Sequence, residues 1–129
     1  MTALTQAALA IYIACFSIGA FNHARDFAAF GWRPYQGVAL PIEAFWSALI
    51  LLDLSVVALL CAGRRNLGLA LAAAAMLADV GVNAYALIGL GISALAVPLV
   101  LQALFLGFVF GSIGFLWRTG HQGRRDATM

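Results

Sequence analysis

The chain lacks lysine, and charge of either sign is scarce. All seven basic residues are arginine, and charged residues make up 9% of the 129 residues, against about 25% in soluble domains. Without lysine there is no side chain for a Schiff base to retinal or pyridoxal phosphate, and no phosphate-loop lysine. So little charge cannot cover a soluble domain, and the net charge of +2 gives no reason to expect a nucleic-acid partner.

Cysteine and histidine are also few. Cys15 and Cys61 lie in different hydrophobic segments and form no CxxC pair, which argues against a thioredoxin-like or quinone-linked dithiol site. His23 and His121 lie far apart in the sequence and are predicted on opposite membrane faces, so they are not expected to share a haem or metal ion. The sequence therefore predicts no metal and no cofactor.

Hydrophobic residues make up 64% of the chain, against roughly 45–50% in soluble domains. No segment alternates with a period of two, which excludes a transmembrane barrel. The sequence instead predicts an all-α membrane protein, a single domain over residues 1–129 that forms a four-transmembrane-helix antiparallel bundle. Each predicted span is near the ~20 residues that cross a bilayer, and the spans cover about 4–23, 41–62, 67–90 and 97–117, with an outer loop over 24–40.

Arginine placement predicts the orientation of these spans. Five arginines follow spans two and four, and only Arg25 and Arg33 lie between spans one and two. The positive-inside rule then puts both termini in the cytoplasm. No basic residue precedes the first span, so we expect a retained helix rather than a cleaved signal peptide. The lysine-free, alanine-rich composition is typical of GC-rich bacterial genomes, and we expect a multi-pass protein of the bacterial inner membrane.

Two aspartates lie deep inside the predicted spans. Asp53 is about 18 Å from the outer start of span two, and Asp79 is about 16 Å from the outer end of span three. An ionisable group near the bilayer centre should face the bundle interior or a cavity. With Asn83 one turn after Asp79, and Gln102 in span four, the aspartates are predicted to line a polar ligand-binding pocket. The alternative is that each aspartate is hydrogen-bonded, for example to Asn83, and only joins helices.

A second polar group is predicted at the outer face, where it would form a charged mouth above the pocket. By helix rise alone, His23 is expected about 15 Å above the two aspartates. The alternatives are a solvated histidine at a helix end and an acid, Glu43, that complements the dipole of span two. The residues of this predicted mouth are His23, Arg25, Asp26, Arg33 and Glu43.

Small residues recur at four-residue spacing in span four, at Ala103, Gly107 and Gly111. Such a face lets two helix backbones approach closely. We expect its partner to be another helix of the same bundle, with a second copy of the chain as the alternative.

Two resemblances accompany these patterns. The stretch from Glu43 to Met76, with Gly63-Arg64-Arg65 after an apolar run, resembles the small four-helix DoxX-like membrane proteins, which are associated with quinone-linked redox chemistry or accessory roles. Separately, a scattered set looks like a pattern in uncharacterised bacterial four-span proteins and implies no activity. That set comprises His23, Trp32-Arg33-Pro34-Tyr35, Phe45-Trp46, Asp53 and Asp79-Val80-Gly81-Val82-Asn83.

Two functions compete on this sequence. The first is a proton- or cation-responsive carrier or ligand-binding protein, expected as a homo-oligomer because four short helices hardly enclose a transport path. The second is an accessory subunit or assembly factor of a larger membrane complex. A quinone-linked redox complex is one example of such a complex. There is no nucleophile–base pair, metal cluster or cofactor motif, so the sequence does not favour an enzyme and predicts no catalytic residue.

Overall fold

The computed structural model describes all 129 residues and consists of four long helices without a strand. These are α1 (Ala3–Phe30), α2 (Leu40–Cys61), α3 (Arg65–Ile88) and α4 (Ala96–Thr128), with one 3-10 turn over Ser93–Leu95 before α4. All four are long and apolar enough to cross a membrane. The all-α class and the four candidate spans are confirmed. The antiparallel order of the helices and the cytoplasmic termini stay predictions.

Two helices extend well beyond their predicted spans. α1 continues to Phe30 rather than ending near residue 23, so the connection to α2 narrows from the predicted 24–40 to 31–39. α4 continues past residue 117 to Thr128. Hydropathy marks the part of a helix that suits hydrocarbon, whereas backbone hydrogen bonding continues through charged residues that favour helix, such as arginine. The predicted loop therefore included the last two turns of α1.

The ends of α1 and α2 follow from identifiable residues. The Thr2 hydroxyl accepts a hydrogen bond from the Thr5 amide and caps the start of α1. Gly31 ends α1 with φ at 83°, in the region that favours glycine, while its amide still donates to the Phe27 carbonyl. Pro41 lies in the first turn of α2, where no intrahelical donor is lost.

The chain forms two compact units, Met1–Gly68 and Leu69–Met129. In the first unit, α1 packs against α2. The buried residues of α1 recur every three or four positions and form one stripe, as expected for a helix with a single packed face. This stripe consists of Thr5, Ala8, Tyr12, Phe16 and Ala20, and the buried residues of α2 are Glu43, Leu49, Asp53 and Val56.

The second unit also buries its polar residues along a helical stripe. In α3 the stripe contains Leu69, Ala72, Met76, Asp79 and Asn83. By contrast, only 6% of the most apolar window of α4 is buried, compared with 39% for α3. Because α4 exposes so much apolar surface, its outer face suits lipid or another helix rather than water.

Candidate functional site

His23 lies close to Asp53, on neighbouring helices of the first unit. Its Nε2 atom is 4.0 Å from the Oδ2 atom of Asp53, and both side chains are largely buried. The expectation that His23 lies about 15 Å above the aspartates is therefore wrong for Asp53. That estimate counted helix rise from the end of the apolar run, but α1 continues to Phe30, so His23 lies two turns inside the helix.

A chain of hydrogen bonds continues from His23 to Asp26. The Nδ1 atom of His23 is 2.8 Å from the Tyr35 hydroxyl, and that hydroxyl donates to the Oδ2 atom of Asp26 at 2.8 Å. His23 and Asp26 are three residues apart and share one face of α1. Tyr35 reaches them from the 31–39 connection. The side chains of Asp53, His23, Tyr35 and Asp26 are here termed the relay cluster. Two hydrogen bonds join His23, Tyr35 and Asp26, and a 4.0 Å gap separates His23 from Asp53.

The donor directions assign the tautomer of neutral His23. Tyr35 carries a single hydroxyl proton, and this proton is donated to the Asp26 carboxylate. The Tyr35 oxygen must therefore accept from His23, so Nδ1 carries the proton and Nε2 presents its lone pair towards Asp53. The histidine can take a proton at Nε2 while it releases one at Nδ1.

Gly19 makes room for the Asp53 carboxyl group. A Cβ atom added at Gly19 would lie 2.5 Å from Oδ2 of Asp53 and 3.3 Å from its Cγ. The first distance is well inside van der Waals contact, so any larger residue at position 19 displaces the carboxylate. Gly19 and His23 are one turn apart on α1 and together border the Asp53 side chain.

An ion pair fixes the connection that carries Tyr35. Arg33 donates from Nε to Oε1 of Glu43 at 2.8 Å and from Nη2 to Oε2 at 2.9 Å, a bidentate arrangement. These hydrogen bonds, together with the Glu43 charge, raise the pKa of the Arg33 guanidinium further above its ordinary value. Tyr35 also meets the Trp46 ring edge-to-face, with centroids 5.7 Å apart. The connection is therefore held on the first turns of α2.

The five residues of the predicted mouth separate into distinct environments. His23 and Asp26 join the relay cluster, while Arg33 and Glu43 pair with each other. Glu43 is only 6% exposed, so it is not an open surface charge. Arg25 is exposed.

Asp79, Asn83 and Gln102 form a second polar cluster within the second unit. The Nδ2 atom of Asn83 donates to Oδ1 of Asp79 at 3.0 Å and to Oε1 of Gln102 at 2.8 Å. Asp79 and Asn83 are 8% and 4% exposed. The helical spacing predicted the contact between Asp79 and Asn83. A pocket shared by Asp53 and Asp79 stays a prediction.

The first unit also contains an open groove of about 560 Å³. Apolar side chains line it almost entirely, among them Phe27, Trp32 and Ile50. None of the four predicted ligand-binding residues lines this groove. Its chemistry suits an apolar chain such as lipid and differs from that of the predicted polar pocket.

The small-residue face of α4 consists of exposed residues. Ala103, Gly107 and Gly111 are all exposed, and a Cβ atom added at either glycine would have nothing within 4 Å. Whether another helix of the same chain or a second copy packs against this face stays a prediction. Four-residue spacing of small side chains identifies a surface that allows close approach, but it does not say which helix uses it.

Three residues of the first unit were missed as members of a site. Gly19 could have been noticed because it precedes His23 by one helical turn. Tyr35 and Trp46 are aromatic residues of a kind that is common at membrane interfaces, and no spacing in the sequence marks them as members of a polar site. Their hydrogen bond and ring contact depend on the path of the 31–39 connection, which no periodicity encodes.

No family model, curated protein or solved structure matches this chain. The resemblance to DoxX-like proteins accordingly stays a prediction.

Proposed function

We propose that this chain is a small integral membrane protein of the bacterial inner membrane that acts as a proton-responsive carrier. In this proposal the relay cluster passes a proton between the buried carboxyl of Asp53 and the end of α1. The observation that carries it is the position of His23, whose two ring nitrogens face Asp53 on one side and Tyr35 on the other. Imidazole titrates near neutral pH and can both accept and donate a proton.

The proposed transfer conserves protons at every step. A protonated Asp53 gives its proton to Nε2 of His23 and becomes a carboxylate. The Nδ1 proton of His23 then passes to the Tyr35 oxygen as the Tyr35 hydroxyl proton passes to Asp26. Tautomer exchange or the reverse steps reset the ring. The 4.0 Å separation between Nε2 and Oδ2 exceeds a hydrogen bond, so the first step requires a bridging water or a small approach of the side chains.

The low-dielectric setting supports a functional role for this path. A charged aspartate at the centre of a membrane helix costs at least ~2.5–3.5 kcal/mol on insertion scales, which disfavours it unless it has a partner or a use. A histidinium beside an Asp53 carboxylate gives a neutral pair, and so does neutral histidine beside a protonated acid. Asp53 and His23 therefore have two protonation states of equal net charge, and transfer between them separates charge only across the 4.0 Å between Nε2 and Oδ2.

The test is proton flux into liposomes that contain the purified full-length chain and a trapped pH-sensitive dye. An imposed pH gradient should collapse faster with the wild-type chain than in protein-free liposomes. His23→Gln and Asp53→Asn should each reduce the excess rate by about 10²-fold or more, the scale at which a positioned acid or base acts. Tyr35→Phe removes the hydroxyl but keeps the ring against Trp46, so it should also reduce the flux.

His121→Gln is the matched control because it removes the other histidine, which lies in the C-terminal part of α4. It should leave the flux unchanged. A wild-type chain that does not accelerate proton entry, or a His23→Gln variant as fast as wild type, would contradict the proposal.

The second candidate is an accessory subunit or assembly factor of a larger membrane complex. In this role the exposed small-residue face of α4 is a partner surface, because Gly107 and Gly111 would let a helix of another subunit approach closely. A homo-oligomeric carrier would use the same face. Native mass spectrometry of the gently solubilised protein from its own membrane separates the two. A homo-oligomer supports the carrier, whereas other subunits at fixed stoichiometry support the accessory role.

A further inference from the structure

The polar cluster of the second unit converges on one point between α3 and α4. A single nitrogen, Nδ2 of Asn83, donates to oxygens of Asp79 and Gln102. Neither ion pair in the structure involves Asp79. Because Asp79 and Asn83 are more than nine-tenths buried, their carboxylate and amide are largely shielded from water. The cluster therefore holds acceptor oxygens around a small donor, without a full positive charge.

The charge and the oxygen atoms of the cluster restrict which ion could take the place of the Asn83 N–H group. One carboxylate is neutralised by one monovalent cation, whereas a divalent ion would leave an unbalanced charge in a low-dielectric region. Carboxylate and amide oxygens are hard ligands that suit hard cations. The cluster contains no histidine or cysteine, the softer ligands that transition metals prefer.

We propose that Asp79, Asn83 and Gln102 bind a monovalent alkali cation. In the structure the Asn83 nitrogen donates to an Asp79 oxygen and to a Gln102 oxygen, so these two oxygens lie on either side of the Asn83 amide. A half-turn of the Asn83 amide exchanges its nitrogen for its carbonyl oxygen. Three oxygens, one from each side chain, then surround the same point. This inference concerns a different unit from the relay cluster and does not rest on the proposed proton transfer.

The experiment measures unfolding of the purified full-length chain in detergent, with choline chloride replaced by NaCl at constant ionic strength. A ligand that binds only the folded state raises Tm in a saturable manner. Tm of the wild type should therefore rise with Na⁺ and level off. Asp79→Asn retains an acceptor for Asn83 but loses the charge, so its Tm should not respond. Sodium NMR line broadening, present for wild type and lost in Asp79→Asn, gives a direct binding readout.

Two further variants make the test specific. Gln102→Leu removes one of the three oxygens and should raise the apparent Kd for Na⁺ by about tenfold or more. Ser112→Ala removes a hydroxyl that donates to the Phe108 carbonyl of its own helix, so it should keep the wild-type response. His23→Gln should also keep it, which separates failure of this site from failure of the proton carrier.

Two results would overturn the cation site. One is a Tm that does not change with Na⁺ or K⁺, or that changes equally in Asp79→Asn. The other is stabilisation produced only by lowering the pH at fixed Na⁺ and lost in Asp79→Asn, which would make the proton the ligand of Asp79.

Discussion

Replacement of Gly19 by alanine tests the site geometry most directly. The added methyl would lie 2.5 Å from Oδ2 of Asp53, while carbon–oxygen contacts of the closest ordinary kind begin near ~3.3 Å. The Asp53 oxygen must therefore move away from the added methyl group by about 0.8 Å. This oxygen is also the one that faces His23. We expect the substitution to disturb proton transfer more than folding.

The expected effect on folding is modest because the displaced atom is at the end of a side chain. Forcing Asp53 away from its preferred rotamer costs about 0.5–1.5 kcal/mol. Alanine gains up to about 1 kcal/mol over glycine in a helix, so the net change in the free energy of unfolding should be small. Gly81→Ala is the matched control, since it adds the same methyl inside α3 with nothing within 4 Å. Gly19→Ala should unfold more easily than this control by about 0.5–1.5 kcal/mol.

The assay pairs unfolding in detergent with the proton-flux measurement. Gly19→Ala should lose most of its flux while Gly81→Ala keeps it. In an Asp53→Ala background the clash is gone, so Gly19→Ala should then cost no more stability than Gly81→Ala, as a double-mutant cycle would show. Two results would contradict the proposed role of Gly19. One is a Gly19→Ala variant that matches Gly81→Ala in both stability and flux, and the other is a stability cost that persists without the Asp53 carboxyl.

Two further predictions concern the connection between α1 and α2. Glu43→Gln removes the charge that holds Arg33 in a bidentate pair, so the amides of residues 32–38 should exchange hydrogen faster than in wild type while those of α3 do not change. Exchange that stays at the wild-type rate would mean that the Tyr35–Trp46 contact alone fixes the connection. Gly31→Ala forces a side chain into a conformation with φ at 83° and ψ at −160°, which should cost about 1–3 kcal/mol. Its Tm should fall below that of Gly81→Ala, and an equal Tm would show that the helix end relaxes without strain.

The four spans could be predicted because hydrocarbon thickness sets the length of an apolar helix. The contact between Asp79 and Asn83 followed from helical spacing, which fixes neighbours within one helix. Contacts between different helices, or between a helix and a connection, could not be predicted in this way. The approach of His23 to Asp53 depends on where α1 ends and how it is rotated, and the charges of Arg25 and Asp26 ended the apolar run before the helix itself ended. The path of Tyr35 depends on a connection that has no repeating pattern.

The relay cluster has a consequence for the order of synthesis. Its side chains come from α1, the following connection and α2, and the last of them along the chain is Asp53. A nascent chain that has delivered only its first two helices to the membrane therefore already contains Asp26, His23, Tyr35 and Asp53. Their ionisable groups therefore have their partners within the first two helices and the connection, and do not depend on α3 or α4. The first two helices therefore bring every member of the relay cluster together before α3 leaves the ribosome.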